Sequence, residues 1–80
     1  MKAIIGDIGN TNTKICLLDI KKYTTEKIIF FESKKIFSPY YLKNKIKKLI
    51  KKKSINKVAL FSSVVPKYKS YLSRFLYKYY

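Results

Sequence analysis

The stretch GDIGNTNTK, residues 6–14, gathers the groups able to do chemistry in an otherwise lysine-rich chain. It holds both glycines, Gly6 and Gly9, and one of the two aspartates, Asp7. Ile8 separates them, and Asn10, Thr11, Asn12, Thr13 and Lys14 follow. It comes directly after the apolar run KAII. An acid at a strand end, followed by glycine and small polar residues in a tight hairpin, makes a loop suited to phosphate. Gly9 lets the backbone come close to a ligand or take φ > 0. Backbone N–H groups, the hydroxyls of Thr11 and Thr13 and the amides of Asn10 and Asn12 can donate to phosphate oxygens. Asp7 and phosphate are both anions, so the role open to Asp7 is to hold Mg²⁺, directly or through water. Lys14 adds positive charge if its strand position turns it inward. A plain β-turn uses the same residue types, and the residues alone admit both readings.

The remaining acids are Asp19, Glu26 and Glu32. Asp19 lies six residues along the second strand from Thr13, about 20 Å away at about 3.3 Å per residue. Glu26 belongs to that same far end. Glu32 lies about two strand spacings from Asp7, near 10 Å, too far to share one Mg²⁺. With no histidine, no general base stands out, and no catalytic residue is assigned.

Short connections dictate the elements that carry this loop. KAIIGDI reads as a strand ending near Asp7, TKICLLDI (13–20) as a strand apolar on both faces, as if covered on both sides, and TEKIIFFES (25–33) as a third strand. Only GNTN joins the first two, so they pair as an antiparallel hairpin, and KKYT turns the next. Ser38-Pro39 is a helix start, and Leu42, Ile46, Leu49 and Ile50 form one apolar stripe in a helix over 39–53. Lysines 43, 45, 47, 48 and 51–53 lie mostly off it, those at 51–53 suiting the negative end of the helix dipole. A fourth strand at 57–62 is reached through this helix and so runs parallel to the first. Pro66 opens a second helix over 66–78, with Tyr68, Tyr71, Leu72, Phe75 and Tyr79 on one side. The expected fold is α/β, order β-β-β-α-β-α, with a mixed sheet 3-2-1-4.

The chain has 80 residues, one small domain at most, and 48% of them are hydrophobic. No apolar run approaches the length that spans a bilayer, and Asp7 interrupts the N-terminal apolar stretch, so a membrane partner and a secretory signal are not expected. One cysteine, Cys16, and no histidine exclude a disulfide framework and a Cys/His zinc site. A cytoplasmic protein is the default. The net charge of +15 raises nucleic-acid binding. Lysines are spread throughout, however, and arginine appears once, at Arg74. Drift towards AT-rich codons, which favours Lys, Ile, Tyr, Phe and Asn together, accounts for the charge better than a nucleic-acid surface.

DIGNTNTK resembles the first phosphate motif of the actin-like ATPase superfamily, and its specific form resembles type III pantothenate kinase. A second segment, ALFSSVVPKYKSYLSRFLYKYY, is similar to that family's SSVVP segment after the fourth strand. The order and separation of the two also fit, and the resemblance covers essentially the whole chain. It implies a ribonuclease-H-like (actin-like ATPase) half-domain, incomplete here: residues 1–80 form the N-terminal part of the first domain, and the second domain is absent. It implies ATP-dependent phosphorylation of pantothenate to 4'-phosphopantothenate in coenzyme A biosynthesis, with Mg²⁺, a monovalent cation (K⁺ or NH₄⁺) and a homodimer in the cytoplasm. Asp7, Ile8, Gly9, Asn10, Thr11, Asn12, Thr13 and Lys14 carry over as ATP-binding, with Asp7 also facing metal. The family commonly has an apolar residue where Lys14 stands. Ser62, Ser63, Val64, Val65 and Pro66 carry over as a segment near the cleft that shapes the strand-to-helix turn. The family's Gly-x-Asp-Arg and later Asp-x-Gly-Thr motifs are missing, and no P-loop replaces them. An inactive N-terminal fragment is therefore expected, from a truncated or frame-shifted gene, from a split protein completed by a separate C-terminal piece, or as part of a longer sequence. Two other classes stay open: a non-catalytic nucleotide-binding or regulatory module, and a small basic nucleic-acid-binding protein.

Overall fold

A computed structural model describes residues 2–50 and 59–79. Three strands form a meander: β1 (Lys2–Ile8), β2 (Asn12–Asp19) and β3 (Thr24–Glu32). A short 3-10 helix (Ser33–Phe37) leads into α1 (Pro39–Leu49), then β4 (Ala59–Ser63) and α2 (Pro66–Tyr79). The sheet order is β3-β2-β1-β4. β1 is antiparallel to β2 and parallel to β4, as the connection lengths require.

Side-chain alternation divides the sheet into two unlike faces. Ile4 and Ile8 of β1, Ile15 and Leu17 of β2 and Phe31 of β3 are buried on one face. Both helices cover it. α1 begins with Ser38, whose hydroxyl accepts from the Tyr41 N–H at 3.4 Å, and with Pro39 in the first turn. It buries Leu42, Ile46 and Leu49, each contributing about 1.5–3 kcal/mol of transfer free energy. α2 adds Leu72, Phe75 and Leu76, with Tyr68 and Tyr71 packed against the cluster.

The other face is open among the described residues, contrary to the two-sided cover expected from β2. Cys16 and Leu18 are half-buried there, while Ile28 is 49% and Phe30 63% exposed. Both helices pack against the Ile15–Leu17 side, which leaves Ile28 and Phe30 of β3 uncovered.

The ends of α1 and β3 also differ from expectation. α1 stops at Leu49, where Ile50 is already extended and its N–H returns to the Ile46 carbonyl at 2.8 Å. The continuation expected over 51–53, with its lysines, lies outside the described residues, as do positions 57 and 58 of the expected fourth strand. Ser33, expected to end β3, instead opens the 3-10 helix. At the second hairpin the Asp19 carboxylate accepts the N–H groups of Lys21 and Lys22 at 3.0 and 3.2 Å, and Tyr23 takes a left-handed φ of 55°.

Candidate phosphate-binding site

Asp7 projects from the open face of β1, one residue before the strand ends, and is exposed. Its cross-strand partner in β2 is Lys14 and its partner in β4 is Ser62. Directly opposed residues share a face, so the three side chains stand together. The register thus puts Lys14 on the Asp7 side. The ion pairs Lys2–Glu26 (2.8 Å) and Lys34–Glu32 (3.4 Å) engage neither of them.

The hairpin beyond Asp7 is closed by the Gly9 N–H, which donates to the Asn12 carbonyl at 3.0 Å. Neither glycine has positive φ. Gly9 is needed for space: a Cβ there would stand 3.0 Å from the Asn12 carbonyl oxygen. Asn10, Thr11 and Asn12 are exposed at the tip.

Two residues of the motif face inward. Ile8 is fully buried, and its carbonyl accepts the Val64 N–H at 3.2 Å. Thr13 is also buried, its hydroxyl 2.7 Å from that of Ser33. Ser33 in turn donates its hydroxyl to the Gly9 carbonyl at 2.6 Å and its N–H to the Thr11 carbonyl at 2.8 Å. Sequence reasoning missed Ser33, which lies 20 positions beyond Thr13. A signal for Thr13 was available: it shares parity with Ile15 and Leu17, so its side chain belongs on the covered face.

In the SSVVP segment, the Ser63 hydroxyl accepts the Val65 N–H at 3.0 Å and donates to the Val65 carbonyl at 2.8 Å. This local turn aims the chain into α2 at Pro66. Ser62 differs, being exposed beside Asp7.

Asp19 and Glu26 sit at the opposite end of the sheet, where Asp19 pairs with Lys2 in register and Glu26 pairs with Lys2 in charge. Glu32 lies opposite Asn12, on the far side of β2 from β1. Among the described residues no three His, Cys, Asp or Glu side chains converge on a metal position. A hard divalent ion here would take one carboxylate, from Asp7, with water and phosphate oxygens for the rest, a donor set that suits Mg²⁺. No helix among the described residues is long and apolar enough to cross a membrane.

The sequence model for type III pantothenate kinase matches residues 3–80. A type III pantothenate kinase of Pelagibacter ubique (strain HTCC1062) is 48% identical over 64 residues, covering 80% of this chain and 25% of the relative. The chain thus spans about a quarter of the length of that curated relative. No solved structure matches. With 78 of its 80 positions inside the family model, carrying both the Asp7 hairpin and the serine turn into α2, the chain belongs to the type III pantothenate kinase family.

Proposed function

We propose that this chain forms the phosphate-binding wall of an ATP-dependent pantothenate kinase, acting at the entry to coenzyme A synthesis in the cytoplasm. The observation that carries the reading is the placement of Asp7. The one acid of the family motif is exposed at the end of a central strand, beside a glycine-containing polar hairpin. Asp7 holds Mg²⁺ bound to the nucleotide, and residues 9–12 face the phosphates. Lys14 and Ser62 flank the same edge. The sheet order 3-2-1-4 and the two helices fit a ribonuclease-H-like half-domain of the actin-like ATPase type. The rest of the first domain and a second domain, carried by this or another polypeptide, supply pantothenate recognition, the catalytic carboxylate and the far wall. The homodimer and the monovalent cation rest on family membership alone.

Bound Mg²⁺ supplies charge neutralisation, and phosphoryl transfer depends chiefly on that and on positioning. Asp19, Glu26 and Glu32 all lie away from Asp7, so residues 1–80 alone are expected to give no pantothenate phosphorylation. In a complete kinase carrying this segment, Asp7→Ala lowers Mg-ATP turnover by about 10²-fold or more. Stability changes by less than about 0.5 kcal/mol, because Asp7 is exposed. Near-normal turnover in that variant would reduce the hairpin to a turn.

A narrower reading is a nucleotide-binding module without catalysis. Mg-ATP binding that persists in a complete assembly with no turnover at all would select it. Binding to DNA that falls steeply with salt, without any ATP binding, would select the nucleic-acid reading instead.

A further inference from the structure

Ser33 is fully buried at the first position of the 3-10 helix, outside the hairpin it touches. Three bonds run from it to alternate residues of the motif: hydroxyl to the Gly9 carbonyl (2.6 Å), hydroxyl to Thr13 Oγ1 (2.7 Å) and N–H to the Thr11 carbonyl (2.8 Å). A hydroxyl has one proton to give. Ser33 gives its proton to the Gly9 carbonyl, so the shared bond with Thr13 is donated by Thr13. Both protons are then committed, and the Thr13 hydroxyl is not offered to a phosphate.

We propose that Ser33 is the positioning residue of the phosphate hairpin, fixing residues 9–13 from the 3-10 helix after β3 so that the tip is shaped before nucleotide arrives. The proposal rests on the reading of this hairpin as the phosphate site. A loop of glycine and short polar residues has much backbone freedom to lose on binding. Order imposed in advance by buried bonds lowers the cost of binding. The Gly9–Asn12 bond alone closes the loop without fixing its angle to the sheet. Ser33 supplies that angle, because it continues the chain from Glu32, which pairs with Asn12.

The two glycines make the test direct, since glycine amides resonate apart from the rest in a ¹⁵N spectrum. Gly6 lies inside β1 with strands on both sides, and Gly9 lies in the loop. In the ¹⁵N-labelled 80-residue chain, Ser33→Ala should speed exchange of the Gly9 amide about tenfold relative to Gly6, the loss expected for buried bonds left unmade. It should also weaken the Mg-ATP-induced shift of Gly9 by a similar factor in apparent affinity. Thr13→Val, which keeps the Ser33–Gly9 bond, should give a smaller change in the same direction, and it serves if Ser33→Ala does not fold. Equal acceleration of both glycines would make Ser33 a merely structural residue and overturn the proposal. Unchanged Mg-ATP affinity in Ser33→Ala, with a normal response in the parent, overturns the positioning role and leaves the phosphate site standing. A Gly9 amide that ignores Mg-ATP in a complete kinase carrying this segment overturns the phosphate site itself.

Discussion

Replacing Gly6 with alanine sets two opposing effects against each other, and the structure decides between them. Gly6 has no positive φ, so its backbone accepts alanine without strain. That term favours the variant by about 0.4–1 kcal/mol, through the unfolded chain. Against it, a Cβ at Gly6 points at the Phe61 ring, with Phe61 Cδ1 the nearest atom and Cε1 only 2.7 Å away. Phe61 is the partner of Gly6 in β4, so the ring is held opposite the new atom. Overpacking of this kind costs about 1–3 kcal/mol. The steric term wins, and Gly6→Ala loses about 1 kcal/mol, a fall in Tm of about 4–8 °C for a domain of this size. Thermal unfolding followed by circular dichroism reads it. The sharper test is the Phe61→Val background, which removes the ring atoms and keeps a β-branched strand residue. The remaining neighbour, Ile15 Cγ1 at 3.5 Å, is in ordinary contact. Gly6→Ala should there become neutral or stabilising by up to about 0.5 kcal/mol. An unchanged penalty in both backgrounds would refute the assignment of the cost to Phe61.

Two further outcomes follow from the rest of the chain. The backbone N–H of Lys22, joined by that of Lys21, holds the Asp19 carboxyl below its ordinary value of 3.8. A carboxyl depressed in the folded state adds stability above the unfolded pKa and loses it as pH falls through the folded one. The Tm difference between parent and Asp19→Ala should therefore be full above about pH 4 and shrink on acidification below it; a difference that grows there would contradict the sign. On the open face, Phe30 is 63% exposed beside Ile28, and Phe30→Ser should lower self-association of the 80-residue chain in sedimentation velocity. Equal association of both forms would place the contact elsewhere.

The strand order was legible because connection lengths left little choice. GNTN allows only a hairpin, and a helix between the third and fourth strands demands a parallel return. The start of α1 was equally plain from Ser38-Pro39. Asp7 at a strand end could be read from the run of apolar residues before it. What could not be read is how the loop is held. Ser33 stands in ESKK, a polar stretch that looks like any strand exit, and its role depends on a fold that brings it under Gly9. The open face was misjudged because Cys16 and Leu18 are apolar whether or not anything covers them. Composition alone gives no information about which side the helices take.

The parallel pairing of β4 with β1 carries a consequence for the order in which the wall is assembled. The meander closes through short hairpins, whereas β4 must find β1 from the other end of the chain. Loop-closure entropy and contact order make that the slower step. The Ser33-held hairpin is thus completed early, within the first 33 residues and before β4 is needed. Ser62 reaches Asp7, and the Val64 N–H reaches the Ile8 carbonyl, only when β4 docks. Pulsed amide labelling during refolding that found Val64 protected before Gly9 would reverse this order. Asp7 therefore acquires its neighbours in two instalments: a nascent or partly denatured chain presents a formed hairpin whose acidic residue is still bare on one flank.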